Sequence, residues 1–513
     1  MKSSNNITKN KQLFINIIAS FVAFGVGMGI NFFLSPYIVE NVGTEAYGFV
    51  QLANNFITYF SILTIALNSM SSRFISVSYF KDDILSANEY FSSTFFSNLI
   101  ISICFLPILV IGIWKLDSFI EISPNLVGDV KMLMFFMASN FILSLLATNL
   151  GISYYVKNEL YISSIIGIVF NILRAILLLL LFSLCESRIM YIGLVTFIIT
   201  CFSQIVNLEF KKRMIPELSI KKKYFNWIKV KEMISSGIWN TITRLGSLLS
   251  EGLDLLITNI CISATDMGVL AIAKTIPNMI NNILNTMIST FMPNLTELYA
   301  KGKSDELVKS IKQSMKIIGM IINIPIAVLI AYGSVFFSLW VPSQDAKLLQ
   351  ILSVITIFPW AIMGQATIIH NIFTVLNKIK INSLLVCFTG LLNVLVVFIL
   401  LKTTSLGLFA VAGVSTIFSI IRNVCYTVPF GAIYIGKKWN TFFPEIIKSI
   451  ASVCIISVFG YVMKSFMVNY SWINLIIFAL LTAIVGILFN YNIVLNKEDQ
   501  KLVKNIILKK IKK

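Results

Sequence analysis

Five polar side chains recur at helical spacing within an otherwise apolar stretch near the middle of the chain. They are three or four residues apart: Asn240, Arg244, Ser247, Glu251 and Asp254. At about 100° per residue they fall within an arc of roughly 80°, so they share one face of a helix. Arg244 suits an anionic substrate group, and Glu251 or Asp254 suits a coupling cation. A buried structural cluster is the alternative interpretation of this face.

A second polar face follows shortly afterwards. Its members are Lys274, Asn278, Asn281 and Asn285. Pro277 is expected to kink this helix and to free carbonyl groups that a ligand can use. Lys274 lies at a depth similar to that of Glu251 and Asp254, so it can pair with either acid. Interhelical hydrogen bonding is the structural alternative for the asparagines.

Further candidates are spread along the rest of the chain. They are Asn31, Gln51, Asn54, Arg174, His370 and Arg422. Ionisable groups inside a membrane are costly unless they are paired or hydrated, so they mark substrate or ion pathways. Besides Glu251 and Asp254, we expect His370 to be a candidate for binding the coupling ion. The substrate is expected to contact the remaining candidates and Asn240, that is Asn31, Gln51, Asn54, Arg174, Arg422 and Asn240. Arg422 also fits a cation that snorkels to the membrane surface, and His370 also fits a structural hydrogen-bonding residue.

The composition places these faces in a membrane. Of 513 residues, 57% are hydrophobic and 12% are charged, whereas soluble domains have about 45–50% and about 25%. The hydrophobic share is about 292 residues, enough for about fourteen helices of about 20 residues. A hydropathy window places fourteen spans: 13–38, 46–70, 91–114, 132–153, 162–183, 190–208, 233–259, 267–292, 317–338, 348–374, 382–401, 407–433, 449–466 and 472–494.

The basic residues indicate the orientation of these spans. Of the 41 Lys and Arg, 31 lie on the side of the two termini, six lie on the opposite side and four lie within spans. By the positive-inside rule both termini are therefore expected in the cytoplasm. The net charge of +18 then reflects topology and contact with anionic lipid, so nucleic acid is not an expected partner. The seven cysteines form no CxxC pattern and there is one histidine, so neither a metal site nor a disulfide framework is expected.

An internal repeat relates spans 1 and 2 to spans 7 and 8. At an offset of 220 residues, Gly48 aligns with Gly268 and Asn54 aligns with Lys274. The predicted fold is an all-α polytopic membrane protein with about fourteen transmembrane helices. Two six-helix bundles are related by a pseudo-twofold axis along the membrane normal, and two C-terminal helices follow. The predicted parts are a first bundle (1–208), a basic cytoplasmic linker (209–232), a second bundle (233–433), helices 13 and 14 (434–494) and a basic cytoplasmic tail (495–513).

The N-terminal region resembles a known family. Phe32, Phe33 and Pro36 precede the segment 41–48, NVGTEAYG, and span 2 ends in the segment 71–74, SSRF. These motifs and the layout of fourteen spans are similar to the polysaccharide biosynthesis flippases of the multidrug/oligosaccharidyl-lipid/polysaccharide (MOP) superfamily. The resemblance implies a flippase that moves an undecaprenyl-diphosphate-linked oligosaccharide across a bacterial plasma membrane by ion-coupled alternating access.

The resemblance also implies roles for some of the candidates. Members of the family line their cavity with cations suited to a diphosphate, a role that Arg244 and Lys274 match, followed by Arg174 and Arg422. No cofactor is expected beyond a coupling H⁺ or Na⁺. The expected partners are the lipid-linked oligosaccharide, membrane lipids, a polysaccharide polymerase and the chain-length machinery.

Three alternatives stay open at this point. Related lipid II flippases have arginines in helices 1 and 2, where this chain has Asn31, Gln51 and Asn54, which favours an O-antigen or capsule repeat unit. Multidrug exporters of the superfamily typically have twelve helices. A membrane-embedded glycosyltransferase or polymerase needs paired carboxylates or a metal motif on a loop, and the loop carboxylates Asp117 and Glu121 are isolated in sequence.

Overall fold

The computed structural model describes residues 2–376, 378–495 and 500, and within these residues the chain is helical and contains no strand. The helices are α1 (Lys2–Val42), α2 (Thr44–Phe80), α3 (Ile84–Trp114), α4 (Leu116–Phe119), α5 (Val127–Leu146), α6 (Ile152–Val156), α7 (Leu160–Leu184), α8 (Met190–Met214), α9 (Trp227–Ser247), α10 (Asp254–Cys261), α11 (Ala264–Ala300), α12 (Ser304–Trp340), α13 (Ala346–Val375), α14 (Ile379–Thr403), α15 (Leu408–Arg422), α16 (Val428–Tyr434), α17 (Phe443–Lys464) and α18 (Trp472–Ile493). Two π-helical turns, Leu248–Gly252 and Asn423–Thr427, interrupt this series.

Eleven helices among the described residues are long and apolar enough to cross a membrane, or twelve if the bent α13 counts as one span. This confirms the all-α polytopic membrane fold, while the count of fourteen stays a prediction. The two predicted spans that fail the criterion, 233–259 and 267–292, are helical but carry the two polar faces. The first is divided by the π-turn Leu248–Gly252, and the lysine and asparagines of the second lower its hydropathy.

The repeat is visible in the helix boundaries. Both α2 and α11 have 37 residues, and their first residues, 44 and 264, differ by 220, as do their last, 80 and 300. The following helices begin at residues 84 and 304, again 220 apart. Each intervening turn contains one residue with positive φ, Asp82 at 59° and Gly302 at 68°. The helical structure thus repeats with the offset found in the sequence.

The helices are grouped into two compact units. Unit 1 consists of Met1–Leu245 and Leu255–Gly268, and unit 2 consists of Gly246–Asp254 and Val269–Lys513. The predicted part boundaries at 208, 232, 433 and 494 stay predictions. Of the predicted tail 495–513, the structure describes Leu495 and Gln500, and the other residues lie outside the described ranges.

Unit 1 is built on α2, α3 and α5, which pack against one another, and on the pairs α1 with α7 and α5 with α8. Its buried core includes Leu67, Ile75, Phe91 and Met233. In unit 2, α12 packs against α13, α17 and α18, and α14 packs against the π-turn Leu248–Gly252. The C-terminal pair α17 and α18 is therefore anchored on α12, where Tyr332 and Leu475 share a buried cluster.

Candidate functional site

The first polar face lies on a helix that changes its hydrogen-bonding pattern. After α9 ends at Ser247, one π-turn covers Leu248–Gly252 and α10 begins at Asp254. A π-turn inserts an extra residue into a helix, redirects the side chains beyond it and is frequent at functional sites. Glu251 lies inside this turn and Asp254 begins the helix after it. The turn therefore sets the direction in which both carboxylates point.

The π-turn is held by α14. A Cβ atom on Gly390 would lie 2.6 Å from the carbonyl oxygen of Gly246, so only glycine permits this helix approach. The Asn393 side-chain amide donates to the carbonyl oxygens of Leu249 at 3.3 Å and Ser250 at 3.0 Å. Backbone carbonyls buried without a partner are costly. Asn393 therefore stabilises the irregular backbone that carries Glu251.

Lys274 forms a buried ion pair with Asp254 in unit 2. Only 14% of the Lys274 side chain and 4% of the Asp254 side chain are exposed. The Lys274 ammonium also donates to the backbone oxygen of Glu251 at 3.4 Å. The sequence left Glu251 and Asp254 as possible partners of Lys274. In the structure Lys274 pairs with Asp254, while the Glu251 side chain is exposed. The π-turn and α11 thus place one acid in a buried pair and leave the other accessible.

A second cation of unit 2 lies beside the other π-turn. Arg422 ends α15, directly before Asn423–Thr427, and its Nη1 donates to Thr389 Oγ1 at 3.4 Å. Its Nε atom is buried and has no hydrogen-bond partner within the described part of the chain. The charge of Glu251 acts on Arg422, and the charge of Arg422 acts on His370. Unit 2 therefore contains a set of interacting ionisable groups: Glu251, Asp254, Lys274, His370 and Arg422.

The uncharged candidates of unit 2 line α11. Asn285 donates to Asn281 Oδ1 at 3.0 Å, and Asn278 and Asn285 are exposed. Pro277 lies within α11, which runs from Ala264 to Ala300, so the kink expected at Pro277 stays a prediction.

The candidates of unit 1 are more dispersed. Arg174 on α7 donates to Asn31 Oδ1 on α1 at 3.0 Å, so these two are brought together. Arg244 on α9 is exposed. The remaining three bond nearby groups: Gln51 to the Tyr47 hydroxyl at 3.1 Å, Asn54 to the Val50 carbonyl at 3.1 Å and Asn240 to Ser69 Oγ at 3.3 Å.

Sequence reasoning missed a buried polar cluster in unit 1. Ser71 Oγ and Thr94 Oγ1 lie 2.8 Å apart, and Asn149 donates to Ser71 Oγ at 2.6 Å. Asn98 donates to Asn68 Oδ1 at 3.0 Å close by along α3. The only signal in the sequence was the SSRF segment, which contains Ser71, because Thr94 and Asn149 are distant in the chain.

The two acidic loop residues, Asp117 and Glu121, take part in structural contacts. Asp117 pairs with Lys131 at 2.6 Å, and this hydrogen bond holds the pKa of Asp117 below its usual range. The Glu121 backbone exchanges two hydrogen bonds of 2.9 Å with the Asn259 side chain. Among the described residues, no group of three or more His, Cys, Asp or Glu side chains is placed to hold a metal ion.

The series of long apolar helices defines the class of protein as a polytopic, all-helical membrane protein. A family model described as "Polysaccharide biosynthesis protein" matches residues 13–299. The chain belongs to this family, which confirms the resemblance seen in the sequence.

The chain is similar to several known proteins. It is 28% identical over 496 residues to an uncharacterized membrane protein, EpsK, of Bacillus subtilis (strain 168), a match that covers 95% of this chain and 97% of EpsK. It is similar to an inward-facing multidrug resistance MATE family transporter of the MOP superfamily, with a TM-score of 0.63, 13% identity, and coverage of 83% of this chain and 98% of that chain. It is also similar to the lipid II flippase MurJ in an inward closed conformation, with a TM-score of 0.61 and 14% identity. This match covers 92% of this chain and 98% of the MurJ chain. The chain therefore shares the fold of these two structures.

Proposed function

We propose that this protein is a flippase that moves an undecaprenyl-diphosphate-linked oligosaccharide repeat unit across the bacterial plasma membrane by ion-coupled alternating access. The observation that carries the proposal is the buried pair of Lys274 and Asp254 beside the exposed Glu251, in a member of the polysaccharide biosynthesis family. Such a pair offers both a cation for a diphosphate and an acid that can bind a coupling ion.

Lys274 and Asp254 form a switch in this proposal. While Asp254 is ionised, it holds the Lys274 ammonium in the buried pair. Binding of a proton or a sodium ion at Asp254 neutralises the carboxylate, so the attraction that retains Lys274 is lost. The ammonium is then available to a diphosphate oxygen. Ion binding and substrate binding are thereby coupled through one side chain.

Glu251 and Arg244 have complementary roles. Glu251 is exposed and acts electrostatically on Arg422, so it offers a second acid for the coupling ion. Arg244 is exposed on α9, and its guanidinium can donate two parallel hydrogen bonds to a phosphate. The exposed asparagines of α11, Asn278 and Asn285, suit the hydroxyl groups of a sugar.

The C-terminal helices favour a lipid-linked substrate. The helices α17 and α18, of 22 residues each, follow the second predicted bundle and pack on α12. A groove at this extra pair would serve the long lipid chain of the substrate.

The orientation and partners complete the proposal. With both termini in the cytoplasm, the basic loops face the cytoplasmic leaflet. The substrate moves from there to the outer leaflet, where a polysaccharide polymerase and its chain-length machinery receive it. In this proposal the protein carries out transport without catalysing a covalent step.

Complementation tests the proposal. The chain is expressed in a strain that lacks its own repeat-unit flippase, and surface polysaccharide is measured together with intracellular lipid-linked oligosaccharide. We expect the wild-type chain to restore the polysaccharide, and Lys274→Ala, Arg244→Ala and Glu251→Gln to leave the lipid-linked precursor accumulated. Full surface polysaccharide in all three variants, at equal protein levels, would show that these residues do not form the transport site.

A further inference from the structure

A basic pocket lies in unit 1 at the end of α8, where the chain enters the 209–232 segment. Its volume is about 410 Å³, and its lining includes Phe91, Leu208, Lys211, Lys212, Pro216 and Ser219. Two ammonium groups and a hydroxyl therefore occur in a cavity whose other walls are mainly apolar. None of these residues belongs to the transport site described above.

Lys211 is the unusual member of this pocket, because only 7% of it is exposed. Its ammonium donates to the Leu218 carbonyl oxygen and lies 5.3 Å from the centre of the Phe91 ring. Glu217 acts on it electrostatically, but within the described ranges no carboxylate forms an ion pair with it. An ammonium has three donors, and a buried cation without a counter-ion is costly. The pocket therefore provides a charge and donors that suit an anion.

The surface below the pocket is suited to a hydrocarbon chain. Leu208 and Ile205 lie four and seven residues before Lys212, on the same face of α8 as Lys212, and they are 37% and 62% exposed. Since α8 is a candidate membrane span, these exposed side chains are available to lipid. From Lys212 to Ile205 the helix rises about 10 Å, about a third of the roughly 30 Å hydrocarbon core of a bilayer.

We propose that this pocket binds the phosphate of an anionic phospholipid from the leaflet next to the 209–232 segment. Lys211 and Lys212 contact the phosphate, and the acyl chain lies along Leu208 and Ile205. A free phosphate ion would use the cations but not this apolar track. The combination of a cationic pocket and an apolar track therefore favours a lipid as the occupant.

The bound lipid would stabilise the fold of the segment after α8. Ser219, which lines the pocket, is attached to α3 because its backbone amide donates to Asn88 Oδ1 at 2.7 Å and its carbonyl accepts from Ser92 at 3.0 Å. A ligand that bridges Lys211 and Lys212 next to Ser219 adds to these contacts. Lipid binding should consequently appear as thermal stabilisation of the whole protein.

The test uses the purified full-length protein in detergent, with thermal unfolding and native mass spectrometry as readouts. Phosphatidylglycerol, phosphatidylcholine and inorganic phosphate are added separately. We expect phosphatidylglycerol to raise the melting temperature and to stay bound, and the other two to do neither. Each lysine removed should weaken phosphatidylglycerol binding about fivefold, so Lys212→Gln loses about fivefold and Lys211→Met with Lys212→Gln about 25-fold.

The control is Lys222→Gln with Lys223→Gln, which removes the same charge from exposed positions of the same segment. We expect it to keep its affinity within about twofold, since diffuse charges at the surface are screened. An equal loss in the control and the pocket variants would overturn the proposal. Equal stabilisation by inorganic phosphate, or an unchanged affinity in Lys212→Gln, would overturn it as well, whether or not the double variant folds.

Discussion

Gly48 and Gly268, which the internal repeat aligns with each other, are in direct contact in unit 1. A Cβ atom on Gly48 would lie 2.8 Å from the Gly268 Cα atom, and a Cβ atom on Gly268 would lie 2.2 Å from the Thr44 carbonyl oxygen. The backbones of α2 and α11 therefore touch near their first turns. Position 48 has to be glycine because of the Gly268 backbone, and position 268 has to be glycine because of the Thr44 carbonyl oxygen.

The contact predicts that alanine is not tolerated at either glycine. Gly268→Ala places a methyl group against backbone atoms, and we expect the free energy of unfolding to fall by about 1–3 kcal/mol or more. Gly29→Ala is the matched control, since no atom lies within 4 Å of its Cβ position and alanine should there be neutral or stabilising by about 0.5–1 kcal/mol. Thermal unfolding of the purified proteins measures both. Equal melting temperatures for the two variants would show that the contact carries no strain.

The buried pair predicts non-additive effects on stability. Lys274→Met removes the cation that balances the buried Asp254 carboxylate, which typically costs about 3–5 kcal/mol. Adding Asp254→Asn removes the charge that Lys274 balanced, so we expect the double variant to unfold at a higher temperature than the single one while export stays lost. Lys301→Met serves as the control because the exposed Lys301–Glu297 pair should contribute less than about 1 kcal/mol. A double variant no more stable than Lys274→Met would mean that the pair is not a coupled unit.

The support of the π-turn predicts that Asn393 is required. Asn393→Leu leaves the Leu249 and Ser250 carbonyls without their donor, and we expect a loss of about 1–3 kcal/mol together with reduced export. Asn492→Leu is the control, since Asn492 is exposed and donates within its own helix to Leu488. Export and thermal unfolding are measured side by side. Normal export with Asn393→Leu would show that transport does not require the Asn393 support of the π-turn.

The pairing of Asp117 with Lys131 predicts a pH-dependent effect without a loss of function. Because the pKa of Asp117 is lowered, its contribution to stability is present at neutral pH and is lost as the pH falls through that folded-state pKa. Asp117→Asn should therefore lower the melting temperature slightly at neutral pH, have no effect in strong acid, and leave export intact. Loss of surface polysaccharide in this variant would instead favour a membrane enzyme that uses the loop carboxylate.

Periodicity alone located the parts of the site that depend on local sequence. The spacing of Arg244, Glu251 and Asp254 placed them on one face, and the depth of Lys274 predicted an acidic partner. The sequence did not show whether Glu251 or Asp254 pairs with Lys274, because the direction of each carboxylate depends on the π-turn. The turn ends at Gly252 and contains no proline, but a glycine at this place does not specify a π-turn, and its stabilisation by Asn393 joins residues 144 and 143 positions apart.

The fold was predictable for a different reason. Membrane spans must satisfy their backbone hydrogen bonds internally and cover about 30 Å with apolar side chains, so hydropathy finds them directly. The helices 233–259 and 267–292 were also placed by the hydropathy window, but their polar residues leave them outside the helices that are apolar enough to count as spans in the structure.

Transbilayer movement in reconstituted vesicles tests the central claim most directly. The purified protein is placed in liposomes with a fluorescent undecaprenyl-diphosphate oligosaccharide, and a proton or sodium gradient is applied while the labelled sugar exposed outside is quenched. We predict that wild-type protein moves the label across the bilayer faster with a gradient than without, and that Lys274→Ala abolishes this acceleration. Movement no faster than in protein-free liposomes, under either gradient, would contradict the assignment of this protein as a flippase for lipid-linked oligosaccharides.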